Sequence, residues 1–245
     1  MLSEYIPMSN PAPFRCKKFS VHLEGVAHPI GTDSMLLGAW ATLPEGGMVL
    51  DIGTGTGIIA LMVAQRLAEQ SDAPYQIHGV ELHPPSANIA RRNAAESPWG
   101  DHIHIVESPV QQWQPALPYH LIVSNPPFFN ETITAPDAAR RQARSTESLS
   151  FSDLLSSVAR LLHPRGVFCG ILPVQEGRLL GEMACSHGLY MTRRTFVFPK
   201  EGKPAERMLF QLEFAPCPFR QDSLTLRMGN EYSDEYRALT GDFYL

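Results

Sequence analysis

The run Val49-Leu50-Asp51-Ile52-Gly53-Thr54-Gly55-Thr56-Gly57 constrains this chain more than any other stretch. A short apolar segment ends at an acid, glycines alternate with threonines, and a second apolar segment begins at Ile58. Glycine lets the backbone bend sharply and lets a ligand approach where a Cβ would stand. A strand, a glycine turn and a helix in that order open a βα unit. Open α/β sheets bind ligands at the carboxyl ends of their strands, where this turn falls.

The rest of the chain continues the alternation. Strands are expected at Met48–Ile52, Gln76–Glu81, Ile103–Val106, His120–Ser124 and Val167–Leu172, with a closing pair at Met191–Phe198 and Arg207–Phe214. Helices are expected at Ile58–Leu67, Ser86–Ala95, Phe151–Leu162 and Gln175–Ser186. Ahead of them, Thr32-Asp33 precedes the apolar run Met35 to Trp40, an N-cap signature. Lys17 to Gly25 is expected to form a short extended segment or hairpin arm. Alternating βα units imply a mostly parallel sheet with helices on both faces. With 245 residues, 44% of them hydrophobic, one large domain over 14–245 is expected, behind a flexible tail at 1–13.

The glycine spacing narrows the ligand. A dinucleotide fingerprint needs G-x-G-x-x-G. Counted from Gly53, Ile58 stands at the third glycine, so the pattern is G-x-G-x-G. No G-K-[ST] follows, so a P-loop is excluded as well. A nucleoside ligand without phosphate fits better, and S-adenosyl-L-methionine is one. Glu81, at the end of the second strand, is placed to accept both ribose hydroxyls. Asp51 is placed to face the ligand's ammonium group through water or backbone.

A second motif follows the fourth strand: Ser124-Asn125-Pro126-Pro127-Phe128-Phe129. Two prolines fix φ and remove backbone donors, which ends the strand in a rigid turn. Asn125, preceding Pro126, is pushed toward an extended conformation. The turn offers an amide oxygen, the Pro126 carbonyl and the Phe128 ring. The two oxygens suit both hydrogens of a planar amine, and the ring suits the face of a flat substrate. Holding both hydrogens favours pyramidalisation and frees the nitrogen lone pair for attack on an electrophilic methyl. Asn125, Pro126 and Phe128 are the expected catalytic set.

Together these residues resemble the class I methyltransferases that act on amino nitrogens, with a Rossmann-like fold. Asp51 to Gly57 matches their cofactor motif, Glu81 their ribose acid and Asn125 to Phe128 their catalytic motif. Gly31-Thr32-Asp33, Leu36-Leu37-Gly38-Ala39-Trp40, Ser97-Pro98-Trp99, Gln111-Gln112-Trp113, Arg140, Gln142-Ala143-Arg144 and the ending Tyr232-Ser233 to Tyr244-Leu245 carry a narrower likeness. They resemble the bacterial tRNA1(Val) (adenine(37)-N6)-methyltransferase family, over nearly the whole chain. The resemblance implies a seven-stranded sheet, S-adenosyl-L-methionine as donor and an adenine of tRNA as substrate. It implies cofactor contacts from Thr32, Asp51, Gly53, Gly55, Gly57, Glu81, Ser108 and Asn125. One departure is visible: Pro109 stands where the family pattern has an acid for the adenine amino group, so Ser108 or backbone must substitute.

The net charge is −5, so an RNA-binding surface must be a local basic patch. Arg140, Arg141 and Arg144, in the charged segment after the catalytic turn, are candidate phosphate contacts with Lys200 and Lys203. Arg15, Lys17, Lys18, Arg193, Arg194 and Arg207 are further candidates. The cysteines Cys16, Cys169, Cys185 and Cys217 form no CxxC pair, and the histidines show no metal spacing. No signal peptide or apolar span is visible. A cytoplasmic, metal-free monomer is the expectation. The catalytic motif alone also fits methylation of guanine N2 in rRNA or of a protein glutamine amide, and the glycine motif alone fits a non-catalytic binding module.

Overall fold

A computed structural model describes residues 12–24, 30–126 and 149–245. Phe14–Arg15 (β1) and Ser20–Val21 (β2) form a small antiparallel hairpin. Helix α1, Thr32–Trp40, follows. Then come β3 (Gly47–Ile52), α2 (Ile58–Gln70), β4 (Tyr75–Glu81), α3 (Pro84–Ala95), β5 (Ile103–Glu107) and β6 (Tyr119–Ser124). Beyond the undescribed 127–148 lie α4 (Phe151–Leu161), β7 (Leu162–Pro173), α5 (Val174–Ala184), β8 (Tyr190–Phe198) and β9 (Arg207–Glu213). The chain ends with β10 (Arg220–Thr225), a tight hairpin of β11 (Arg227–Met228) and β12 (Glu231–Tyr232), and α6 (Asp234–Thr240).

The large sheet has the order β10-β8-β9-β7-β6-β3-β4-β5, with β9 antiparallel to both neighbours and the other pairs parallel. It has eight strands rather than the seven expected. The additional strand, β10, lies parallel on the β8 edge. Its sequence, Arg-Gln-Asp-Ser-Leu-Thr, has no apolar alternation because only Leu224 is buried. An exposed edge strand does not need the pattern that reveals interior strands.

One apolar cluster joins α1, α2 and the C-terminal residues to one sheet face. The other joins α4 and α5 to the opposite face. The sheet's connections reverse direction between β3 and β6: β4 and β5 extend one way, and β6 begins the other half. Such a reversal leaves a crevice at the carboxyl ends of the two central strands.

The expected cap at Thr32-Asp33 is displaced. Gly31 occupies the N-cap position without a side-chain hydrogen bond, and Thr32 is the first helical residue. Asp33 is drawn instead to Arg207, whose Nε donates to its carboxylate at 2.7 Å. The acid remains favourable in the first turn of the helix dipole. At the far end of α1, Arg66 of α2 donates to the carbonyls of Gly38 and Ala41, both at 2.9 Å, satisfying carbonyls the helix leaves open. A Cβ on Gly38 would come within 2.6 Å of the Met62 sulfur, so glycine here permits the close α1–α2 approach. The C-terminal residues close on the first hairpin: Lys17 N–H donates to the Phe243 carbonyl at 2.9 Å, and Phe14 meets Tyr244 edge to face.

Candidate active site

Strand register brings the two motifs to one rim. Ile52 of β3 pairs with Val80 of β4 on one side and with Ser124 of β6 on the other. Glu81 in turn pairs with Glu107 of β5. The glycine turn, Glu81, Ser108 and Asn125 therefore leave adjacent strands at the same level. Asn125 emerges beside Gly53, across the crevice where the topology reverses.

The glycine turn is shaped by backbone and held by side chains. Gly53, Gly55 and Gly57 have φ of 69°, 57° and 82°, in the left-handed region that other residues enter at a cost. A Cβ added at Gly53 would meet nothing within 4 Å, and one at Gly55 only the Gly53 carbonyl at 4.0 Å. Glycine is therefore required there by conformation, and the turn faces open space. The Gly53 N–H donates to the Val80 carbonyl at 2.8 Å, and the Gly55 N–H to Glu81 Oε2 at 2.9 Å. Glu81 Oε1 accepts from the His83 N–H at 2.9 Å. A carboxylate has about four acceptor sites, so Glu81 braces the turn and keeps lone pairs for hydroxyl donors.

Asp51 is fully buried beneath the turn. Its Oδ2 accepts from the Thr54 hydroxyl at 2.7 Å, while Oδ1 has no hydrogen-bond partner among the described residues. Burial pushes Asp51 up to about 7, partly opposed by Thr54 and the Ala60 backbone and reinforced by the Glu81 charge. The Ala60 N–H, in the first turn of α2, faces this carboxyl, which lies buried under the glycine cradle. Thr54 is a site residue that the glycine pattern hides: it fits because position 79 is glycine, where a Cβ would approach its side chain to 2.9 Å.

Asn125 is half-buried and Pro126 buried. The Asn125 Nδ2 donates to Ser34 Oγ, on the first turn of α1, at 3.2 Å. That bond commits the amide nitrogen to α1 and leaves the oxygen for other donors. Ser124 is tied to the β3 edge by its hydroxyl, which donates to the Ile52 carbonyl at 2.9 Å. Ser34 was not legible in the sequence, since its partner lies 91 residues away.

The remaining expected residues divide. Thr32 is exposed at the start of α1, two residues before Ser34. Ser108 sits beside Glu81, its N–H donating to the Glu81 carbonyl at 3.0 Å and its hydroxyl to the Pro109 carbonyl at 3.1 Å. Lys200 and Lys203 are exposed in the turn after β8, at the same rim of the sheet. Phe128, Arg140, Arg141 and Arg144 lie outside the described residues. Arg207 is held by Asp33, Lys17 donates to the Gly241 carbonyl at 2.6 Å, and Lys18 pairs with Glu69 at 2.7 Å. These three, considered as phosphate contacts, have intramolecular partners that explain them.

The family model described as "Methyltransferase small domain" matches residues 30–152, the stretch that carries both motifs. A tRNA1(Val) (adenine(37)-N6)-methyltransferase of Tolumonas auensis is 42% identical over 233 residues, covering 95% of this chain and 96% of that protein. Its counterpart in Photobacterium profundum is 40% identical over 237 residues, covering 95% of this chain and 98% of that one. The chain belongs to the tRNA1(Val) (adenine(37)-N6)-methyltransferase family. Both relatives match nearly the whole length of this chain, well beyond the central sheet. Among solved structures, a predicted O-methyltransferase from Agrobacterium tumefaciens superposes with TM-score 0.64 at 21% identity, covering 86% of this chain and 96% of that one. The glycopeptide N-methyltransferase MtfA, solved with S-adenosyl-L-methionine, superposes with TM-score 0.53 at 15% identity, covering 77% and 90%. At those identities the likeness is one of fold, and it is the class I methyltransferase fold.

Proposed function

We propose that this chain transfers a methyl group from S-adenosyl-L-methionine to N6 of adenine 37 in tRNA1(Val). The observation that carries the reading is the register across β3 and β6, which sets Asn125 beside the glycine turn at the reversal of the sheet. The names of the near full-length relatives give the substrate. We place the activity in one unit spanning 14–245, acting as a cytoplasmic monomer. Among the described residues no helix is long and apolar enough to cross a membrane, and no cluster of ligating side chains suits a metal.

The residues present fit the donor. The open face of Gly53 and Gly55 would admit its methionine end, Glu81 retains acceptors for the ribose, and the buried Asp51 would act on the ammonium through water or the backbone of the turn. The bound donor supplies an electrophilic methyl on a sulfonium. This chain's own residues then position the nucleophile. Asn125 Oδ1 accepts one hydrogen of the adenine amine and the Pro126 carbonyl the other. Both bonds strengthen as the nitrogen gives up its conjugation with the ring, so they act on the transition state. The nitrogen becomes acidic only as the new N–C bond forms, and its proton is then lost without a strong base. Ser34 fixes the amide so that oxygen, rather than nitrogen, faces the amine.

The test is a nucleoside digest analysed by mass spectrometry after incubating the purified protein with donor and unmodified tRNA1(Val). N6-methyladenosine, absent from a transcript with guanine at position 37, supports the assignment. Methylation of guanine in rRNA fragments, or of a protein glutamine, with none in the tRNA would overturn it.

A further inference from the structure

The eighth strand builds a surface that methyl transfer does not use. On the sheet face covered by α5, residues from three elements alternate guanidinium and aromatic ring. Arg178 of α5 lies 5.8 Å from the Phe196 ring centre, Arg194 lies 5.1 Å from the same ring, and Arg194 also lies 5.0 Å from the Phe219 ring. Arg194 and Phe196 project from the same face of β8, and Phe219 immediately precedes β10. The Arg194 fork is held in place: its Nε and one terminal nitrogen both donate to Gln221 Oε1, at 2.8 and 2.6 Å. Arg178 and Phe219 are exposed, the phenylalanine by 49%.

Of five arginine–ring contacts among the described residues, three gather on this edge. Arg178, Arg194 and Phe219 line a shallow cleft of about 350 Å³ with Met191, Met208 and Glu182, and Phe196 lies beside it against both arginines. A half-exposed phenylalanine beside a pinned guanidinium has no evident benefit for folding. It does suit an unpaired base, which stacks on aromatic rings and arginine planes while its phosphate meets the positive charge. The cleft lies toward the amino end of β8, away from the rim: Phe219 precedes Arg220, which pairs with Arg193, and Met191 lines it as well. Phe196 lies two residues before the end of β8, and Lys200 and Lys203 follow in the turn above it. From β6 to β10 is four strand spacings, about 19 Å, and from Arg193 to the rim end of β8 at Phe198 is about 17 Å more along the strand, so the cleft is reached by nucleotides several removed from the base in the site.

We infer that the α5–β8–β10 edge is a stacking track for unpaired nucleotides of the bound RNA, several positions from the methylated base. This rests on the reading of the chain as an RNA-modifying enzyme, and the test separates the two. Binding of a fluorescently labelled anticodon stem-loop is measured by anisotropy for wild type, Phe219→Ala, Phe219→Tyr and Arg178→Ala. The track predicts ~10-fold weaker binding for Phe219→Ala, retention for Phe219→Tyr, and a shallower salt dependence for Arg178→Ala. In steady-state assays, Phe219→Ala should raise KM for tRNA and leave donor affinity and kcat unchanged. Wild-type affinity and salt slope in both alanine variants would overturn the track, whether or not tRNA is methylated. Wild-type RNA binding that depends on Phe219, without methyl transfer to any tRNA, would uphold the track and overturn the assigned reaction.

Discussion

The two halves of the rim are built differently. On the β3-β4-β5 side, the site is held by short-range contacts: Thr54 to Asp51 across three residues, His83 to Glu81 across two, and Gly55 to Glu81 across 26. On the β6 side, the decisive contacts span the chain: Asn125 to Ser34 across 91 residues and Arg207 to Asp33 across 174. The half we assign to the donor is thus encoded in one βαβ segment. The half we assign to the substrate depends on α1 being docked correctly against the sheet. A local segment carries chemistry common to a whole class of enzymes, and long-range placement lets one member present a particular nucleophile.

The comparison can be broken from either side. The largest effect is expected in the donor half. Gly55→Val forces a β-branched residue into the left-handed region and fills the open side of the cradle. Donor affinity should fall by ~100-fold or more, from strain plus occlusion, as read by calorimetric titration. Near-normal affinity would show that the donor does not cross that turn.

In the substrate half, Ser34→Ala should lower kcat by ~10-fold while donor affinity stays within ~2-fold, because it frees the amide without removing it. Ser34→Thr, which retains the hydroxyl, should recover much of the loss. Equal losses in both variants would reduce Ser34 to a packing residue.

The smallest effect is a pH dependence centred on Asp51, whose folded-state value lies near 7, above the ordinary carboxylate range. The native state keeps a proton that the unfolded chain releases above about pH 4. The stability this contributes is present in full below that pH and is lost as pH rises through about 7. Donor affinity should move oppositely, rising as pH climbs to about 7 and levelling beyond, since the ionised carboxylate attracts the ammonium. Asp51→Asn should flatten both profiles. A donor affinity independent of pH in the wild type would remove Asp51 from the cation's surroundings.

The same contrast explains what the sequence made legible. The glycine turn, Glu81 and the Asn-Pro-Pro turn are local patterns with local causes, and the βα alternation marked seven strands, six to within a residue or so and β7 five residues late at its start. Buried interior strands show as apolar runs. β10 does not, because its edge position lets Arg220, Gln221, Asp222 and Ser223 face solvent. The N-cap at Thr32-Asp33 failed for a related reason: a distant arginine competes for the acid, and no local pattern records it. Ser34 and the Arg194–Phe219 contact are likewise products of tertiary approach, whereas Thr54 is local to Asp51 and was hidden only by the glycines around it.

The account turns on Asn125. Its most direct test is a single-turnover assay with saturating labelled donor and tRNA1(Val), comparing wild type with Asn125→Ala. The account predicts that methyl transfer slows by at least ~100-fold while donor affinity changes by no more than ~3-fold, because the amide acts on the transition state. A variant that transfers the methyl at nearly the wild-type rate would contradict it.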